Sequence, residues 1–476
     1  MPTPDELDRP TALPRWVTAV DVLTVTIALA SFAAAVGGGF KLGVGVFQLS
    51  VKTPWPPLLI CVALATLRHV RYARPHVLAR MLAPLSEFVA RDGFTAAWRP
   101  FVATRIAVLA IGILAVYTFG MPTEAKRLGI SDSQLVNLPL RFDAGWYLSV
   151  ARVGYLWAPG DRERGRQQNI VFFPALPMGM RVLGYLFGRS GVGFLYAGVV
   201  ISHVAFLAAL VLLFELARDD LGDASAAGAA VVLLCTYPFS LFHGAVYTES
   251  LYLLGVVGAV LACRRERWTQ AMAWGALVGL TRPNGFVLSA TLGVLLFETM
   301  LRKRSATGRM GMPSLPAAIA IVAPIAGAAI YWLFIWHLTG NPFQWSEQQV
   351  AWGRSFSGFS PLRGAAEFAA ENGLESYVEG LPYDFINAVP AIVALVLAIP
   401  IGRRLSWAYA VFIVTNLVPP LLLGGVMSTG RFTATLFPVF IWLGLKTRSA
   451  TPSIALWFAM LQSLAAALFY TWRPLF

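Results

Sequence analysis

The sequence predicts an all-α polytopic membrane protein, and three observations predict it. Hydrophobic residues make up 57% of the chain and the mean hydropathy is +0.66. Charged residues make up only 13%, about half of the ~25% of a soluble globular domain. Uncharged apolar runs recur along all 476 residues, and runs of about 18 or more read as membrane spans.

Thirteen runs read as spans: Val17–Val36, Trp55–Leu67, Val102–Gly120, Val192–Leu216, Ala224–Phe242, Ser250–Cys263, Thr269–Leu280, Asn284–Leu301, Ser314–Leu338, Phe385–Ile401, Trp407–Leu423, Phe432–Leu445 and Ser453–Tyr470. Several are short for a hydrocarbon core roughly 30 Å thick, so their helices are expected to run into the flanking loops. The first run follows Asp5, Glu6 and Asp8 and lacks a small-residue cleavage site, so it reads as a span and not as a cleavable signal peptide. The run from Ile170 to Phe187 carries Pro174, Pro177 and Arg181, with Phe172, Phe173, Leu176, Met180 and Leu183 at helical spacing. It reads as a helix lying in the membrane interface.

Topology supports that choice. With Ile170–Phe187 not crossing, the basic loops Arg68–Arg99, Arg264–Arg267, Arg302–Arg309, Arg403–Arg404 and Lys446–Arg448 fall on one side, the cytoplasmic one. If it crossed, the last four would change sides and the bias would vanish. Two long segments then lie outside, 121–170 and 339–384. The first holds Lys126, Arg127, Arg141, Arg152, Arg162, Arg164 and Arg166, a set suited to an anion. Residues 1–101 read as a cytoplasmic start, a two-helix transmembrane addition and a basic inner loop, and 102–476 as the transmembrane core. No internal repeat is visible, which disfavours a carrier.

The net charge of +13 does not point to nucleic acid, because the arginines punctuate the apolar runs and form no stripe. Cys61, Cys235 and Cys263 sit in or beside apolar runs and read as small buried hydrophobes. His203 and His337 are expected to hydrogen bond between helices. No metal motif, phosphate loop or dinucleotide fingerprint occurs, and Asp219, Asp220 and Asp223 fall on the inner side.

Asp143, in Arg141-Phe142-Asp143-Ala144-Gly145-Trp146-Tyr147, has two readings. It precedes a helix-like run, where a carboxylate commonly caps backbone N–H groups. It also suits a general base at the outer surface, next to arginine. Trp146, Tyr147 and Tyr155 suit either an interfacial aromatic belt or a sugar-stacking platform.

Five segments in order carry a resemblance. RFDAGWYLSVARVGY, followed by NIVFFPALPMGMRVLG, resembles the first outer loop of the PIG-V-type mannosyltransferases, membrane enzymes of the GT-C glycosyltransferase class. Tyr247-Thr248-Glu249-Ser250-Leu251 resembles that family's tyrosine, serine and glutamate motif. Leu280-Thr281-Arg282-Pro283-Asn284-Gly285 resembles its threonine–arginine–x–asparagine–glycine turn. Gly340-Asn341-Pro342-Phe343, with Trp352-Gly353-Arg354, resembles the start of its second large loop, and Ser428-Thr429-Gly430-Arg431-Phe432 its late arginine–aromatic pair. The resemblance runs from about Val102 to the C-terminus. Phe142 stands where the family has tryptophan, and Ala175 where leucine is commoner.

The resemblance implies a GT-C-like helical bundle and transfer of mannose, or a similar hexose, from a polyprenyl-phosphate donor to a hydroxyl acceptor on the outer face. It implies Asp143 as the base of an inverting displacement, and Arg282 and Arg431 on the donor phosphate, with Arg141 and Arg152 as further candidates. Arginine offers a donor fork matched to phosphate oxygens. Trp146, Tyr147, Tyr247, Glu249 and Arg354 are expected to contact sugar or acceptor. Read singly, Arg282 and Arg431 are equally well snorkelling arginines, and Glu249 a carboxylate at a helix start. No cofactor or metal is expected; the expected partners are the lipid-linked donor, an unidentified acceptor and membrane lipids. A transporter or flippase for lipid-linked saccharide, or a ligase using a lipid diphosphate, remain alternatives.

Overall fold

A computed structural model describes residues 14–37, 40–44, 47–51, 53–72, 77–123, 125, 128–160, 165–187, 190–308 and 312–475. The acidic start, His76, Lys126, Arg127, Asp161, Arg162, Glu163, Arg164 and Arg309 lie outside the described residues. The chain divides into two compact units, one formed by Met1–Arg91 with Val182–Gly193 and the other by Asp92–Arg181 with Phe194–Phe476.

In the first unit, α1 (Arg15–Gly37) packs on α2 (Trp55–Arg71), and α3 spans Val77–Val89. Between α1 and α2 lies a two-stranded antiparallel hairpin, β1 (Phe40–Val44) with β2 (Phe47–Val51), pairing Phe40 with Val51 and Val44 with Phe47. This is a departure from the all-α expectation. Its cause is the strict apolar–other alternation of Phe-Lys-Leu-Gly-Val and Phe-Gln-Leu-Ser-Val, a period of two that cannot form one helical stripe. The expected basic loop Arg68–Arg99 is also mostly helical. Arg68 is no exposed topology charge: it is fully buried and grips Asp21 of α1 with both arms, Nε to Oδ1 at 2.8 Å and the terminal nitrogen to Oδ2 at 3.2 Å. A charge buried among apolar helices needs such a paired geometry.

In the second unit helices overlap each of the remaining expected spans, and shorter ones lie between them. They are α4 (Asp92–Phe119), α5 (Ala144–Val153), α6 (Ala175–Gly184, which ends in the first unit), α7 (Gly191–Leu221), α8 (Ala224–Thr236), α9 (Glu249–Arg264), α10 (Trp268–Gly279), α11 (Leu288–Thr307) and α12 (Leu315–Thr339). After the short turns α13 (Gln344–Glu347), α14 (Ser360–Asn372) and α15 (Leu374–Gly380) come α16 (Pro382–Arg404), α17 (Trp407–Gly424), α18 (Thr429–Thr433), α19 (Phe437–Thr447) and α20 (Thr451–Tyr470). Among the described residues, eight helical stretches are long and apolar enough to cross a membrane. The last of them, Phe437–Tyr470, covers most of the expected span Phe432–Leu445 and all of Ser453–Tyr470, divided at Arg448, whose φ is +29°. Among the described residues the protein is therefore an all-helical polytopic membrane protein apart from one hairpin.

The run expected to be one interfacial helix is broken. A 3-10 turn covers Asn169–Val171, and α6 begins only after Pro174, the residue type that removes a helical donor. Ten residues of helix reach about 15 Å, half of a hydrocarbon core, so this segment is too short to cross.

Helix α8 is capped by Asp223, whose Oδ1 accepts from the Ser225 and Ala226 amides, and stops before Pro238. The irregular backbone that follows has carbonyls to satisfy away from water. Arg105 of α4 donates to the Ser240 carbonyl at 2.8 Å, and Gln462 of α20 donates to those of Cys235 and Tyr237 at 3.0 and 2.8 Å. His243 stacks on Phe206 with centroids 4.3 Å apart, and the Ser250 hydroxyl donates to its carbonyl. This plug holds Tyr247, Thr248 and Glu249 at the start of α9. His203 meets Phe101 of α4 edge-on at 6.3 Å but, among the described residues, does not make the expected hydrogen bond to another helix. Its Nδ1 bonds the Val199 carbonyl one turn back at 2.8 Å.

Candidate active site

Five segments far apart in sequence meet at one set of helix ends in the second unit. The first is the turn before α5. Phe142 there has φ +47°, a left-handed conformation costly for a bulky residue, held by ring contacts to Phe469 and Trp472 at 5.5 and 4.7 Å. The twist removes the capping reading of Asp143. The residue occupies the cap position of α5 but is itself in helical conformation, and its side chain caps nothing. Its amide donates to the Tyr247 hydroxyl at 3.1 Å, and Oδ2 accepts from Arg431 at 2.8 Å. Among the described residues no hydrogen bond reaches Oδ1, and the side chain stays 20% exposed. One carboxylate oxygen is anchored and the other is open.

Arg431 is delivered by a second strained turn. Ser428 has φ +63°, and the next residues are pinned to Asn387: the Gly430 amide donates to its Oδ1 at 2.9 Å and the Thr429 hydroxyl to its carbonyl at 3.0 Å. Gly430 is required, since a Cβ there would lie 2.3 Å from the Phe239 ring. Thr433 and Tyr237 share a 2.6 Å hydroxyl contact that ties this turn to the α8 plug.

Glu249 is buried in the first turn of α9, and its Oε1 lies 3.2 Å from Arg282 and 4.0 Å from Arg431. Arg282 also reaches the Thr248 hydroxyl at 3.5 Å and lies over the Tyr252 ring at 4.3 Å. Tyr252 is fixed by donating to Asn416 at 2.6 Å, and Asn416 accepts from Asn284 as well. The turn bearing Arg282 is tight because Gly279 presses on α12, where a Cβ would stand 2.1 Å from the Pro324 carbonyl oxygen.

Arg354 follows Gly353, a left-handed residue with φ +70° that ends the 3-10 turn Gln348–Trp352. It donates to the Met427 carbonyl at 3.4 Å. Burial, with Arg431 nearby, pushes its guanidinium down to about 10, and Asp143 opposes that shift. The Phe432 ring gathers all three cations: Cζ of Arg431, Arg354 and Arg282 lie 5.5, 5.8 and 5.9 Å from its centroid. Guanidiniums favour such ring faces. Three arginines against two carboxylates give this half-buried cluster a positive formal charge, which suits an anion.

An aromatic wall adjoins the charges. Trp146 stacks on Phe172 at 5.8 Å and meets Trp352 edge-on at 5.6 Å, while Tyr147 meets Phe172 at 5.0 Å. Of the expected site residues, Asp143, Trp146, Tyr147, Tyr247, Glu249, Arg282, Arg354 and Arg431 are thus brought together. Two are not. Arg141 is buried and gives two of its nitrogens to backbone, Nε to the Tyr470 carbonyl and Nη1 to that of Asn137, both at 2.7 Å, while Nη2 is buried with no hydrogen-bond partner among the described residues. It anchors the end of α20. Arg152 is exposed in the last turn of α5. Sequence reasoning quoted Phe172, Trp352 and Phe432 within longer segments without giving them a site role, and did not single out Tyr252. A signal existed for two: Tyr252 lies three residues after Glu249 on the same helix face, and Phe432 directly follows Arg431.

Residues 126–309 match the family described as Mannosyltransferase (PIG-V). The resemblance read from the motifs is thereby shown over the segment that carries Asp143, Tyr247, Glu249 and Arg282. No curated protein matches the chain. Among solved structures, the oligosaccharyltransferase of Archaeoglobus fulgidus aligns at a TM-score of 0.40 with 14% identity, over 78% of this chain and 53% of that one. ArnT from Cupriavidus metallidurans, bound to undecaprenyl phosphate, aligns at 0.43 with 13% identity, over 77% of this chain and 75% of that one. This chain spans about half the length of the archaeal oligosaccharyltransferase it aligns with.

Proposed function

We propose that this chain is a membrane glycosyltransferase that moves mannose, or a similar hexose, from a polyprenyl-phosphate carrier to a hydroxyl acceptor on the outer face. The observation that carries the reading is the Asp143 carboxylate, unused as a cap, anchored through one oxygen to Arg431 and open at the other. It stands beside a recess of three arginines and two acids. The match of residues 126–309 to the PIG-V mannosyltransferases supports the class of reaction.

In the proposed step the acceptor hydroxyl gives its proton to Asp143 as its oxygen bonds to the anomeric carbon. The bond from that carbon to the phosphate oxygen breaks on the opposite side, so configuration inverts. The departing polyprenyl phosphate keeps the electron pair, and Arg282, Arg354 and Arg431 hold its charge. Glu249 fixes Arg282 and stands near Arg431, and Tyr247 fixes the backbone of Asp143. The connectivity supports an outer location. Every cluster residue lies in a connection opposite, along successive helices, to the basic ones at Arg264–Arg265, Arg302–Arg304, Arg403–Arg404 and Lys446–Arg448. The test is incubation of purified protein with radiolabelled polyprenyl-phosphate-mannose and extracted membrane lipids. Label should pass to an acceptor with the wild type and not with Asp143→Asn; a wild type that transfers no label from this donor overturns the reading.

A further inference from the structure

Beside the charged cluster the chain holds a second, neutral set of buried polar atoms that the phosphate chemistry does not use. Gln344 and Gln348 are 5% and 2% exposed and lie four residues apart on the turn leading to Trp352. Gln348 donates its amide nitrogen to the Arg166 carbonyl at 2.6 Å, which settles the orientation of the amide and leaves Oε1 buried without a partner among the described residues. Gln344 buries an amide nitrogen equally unpartnered. The indole nitrogens of Trp345 and Trp332 are in the same state. A buried donor or acceptor left unpaired is costly, and proteins retain few of them. The unpartnered Gln348 oxygen and Gln344 nitrogen, one acceptor and one donor and neither charged, suit a ligand that is neutral and both donates and accepts.

Trp352 supplies the rest of the geometry. One helical turn past Gln348, its ring meets Phe172 and Trp146 at 5.8 and 5.6 Å, in the wall that adjoins Asp143. Amide groups beside aromatic rings match a carbohydrate, whose hydroxyls hydrogen bond while its C–H face packs on π surfaces. We infer that Gln344 and Gln348, with Trp352, form a hexose-recognition subsite next to the phosphate recess. The inference rests on the glycosyltransferase reading for its biological sense. The recognised ring belongs either to the donor or to a saccharide acceptor, and the experiment separates the two.

The probes are methyl α-mannoside and methyl α-glucoside, followed by saturation-transfer NMR on the purified full chain, and two lipids, polyprenyl-phosphate-mannose and bare polyprenyl phosphate. Wild type should show transfer to at least one glycoside. Gln344→Met, close in shape but without the amide, should lose it, and Gln348→Asn, one methylene shorter, should weaken it. Because Gln344→Met removes a buried donor that had no partner, its thermal midpoint should hold or rise; a merely structural amide would lower it. If the pair reads the donor hexose, Gln344→Met weakens the sugar-bearing lipid about tenfold and leaves the bare lipid unchanged. If it reads an acceptor, both lipid affinities hold while glycoside binding is still lost. No glycoside signal in the wild type, an undiminished signal in Gln344→Met, or equal weakening of both lipids overturns the inference. A wild type that binds a glycoside but neither lipid overturns the donor reading instead and leaves the subsite standing.

Discussion

The Asp143 carboxylate accepts a 2.8 Å hydrogen bond from the Arg431 guanidinium across 288 residues of chain. Each partner follows a non-glycine residue of left-handed conformation, Phe142 at +47° and Ser428 at +63°. Strain on both sides of one ion pair marks a geometry that the surrounding packing imposes. Asp143→Asn keeps the shape and removes the proton acceptor. Turnover should fall by roughly 100-fold or more while binding of polyprenyl phosphate persists. Near-normal turnover, measured with saturating donor, would reduce Asp143 to an anchor for Arg431.

Arg282→Lys and Arg431→Lys keep the charge and lose the fork. A hydrogen bond to a charged group is worth about 1.5–3 kcal/mol, so donor affinity should fall by roughly tenfold to a hundredfold at one of them at least. Titration of polyprenyl phosphate into both variants decides it. Unchanged affinity in both would place the phosphate elsewhere, with Arg354 next to test.

Phe432 makes a separate prediction, because its ring lies within 6 Å of three guanidiniums. Each such contact is worth about 0.5–2 kcal/mol. Phe432→Leu should therefore weaken the lipid phosphate about tenfold, and Phe432→Tyr should restore most of the loss. If leucine binds as well as phenylalanine, the ring only fills space.

The apolar helices were legible in the sequence because apolar length acts locally, residue by residue. What failed was local in another way. Arg68 counted as a loop charge until α1 brought Asp21 against it, and the Phe40–Val51 alternation went unread between two strong helical runs. The site was legible only through its motifs. Singly, Asp143 read as well as a cap, Arg431 as a snorkelling side chain and Glu249 as a helix-start acid. Only closure of the helices sets them 2.8–4.0 Å apart. Arg141 shows how little a motif position says of geometry: its place in the first motif suggested phosphate, and two of its nitrogens hold the carbonyls of Tyr470 and Asn137.

Topology can be checked without a donor. Single cysteines placed at Asp132 and Gly358 should react with an impermeant maleimide from outside intact cells, and those at Arg304 and Arg404 only after permeabilisation. Residue 304 lies at the end of α11 away from Arg282, so its labelling from outside would move the whole cluster to the inner face.

The last prediction concerns divalent ions and follows from how the acids are used. A hard cation needs several oxygen ligands converging on one point. In the cluster the candidate oxygens belong to Asp143 and Glu249, and each carboxylate already faces arginine, at 2.8 Å from Arg431 and 3.2 Å from Arg282. Drawing both onto a metal would break two ion pairs and leave the three guanidiniums of the Phe432 recess facing the added positive charge. The same guanidiniums can neutralise a lipid monophosphate with no ion present. Transfer from polyprenyl-phosphate-mannose should therefore survive millimolar EDTA and gain less than about twofold from added magnesium or manganese, a ratio far below the several kcal/mol a metal gives when it holds transition-state charge. Complete loss in EDTA with rescue by manganese would mean that the acids leave their arginines in the working enzyme. That outcome would replace the monophosphate donor with a lipid diphosphate, whose additional charge three arginines and two ion-paired acids do not balance.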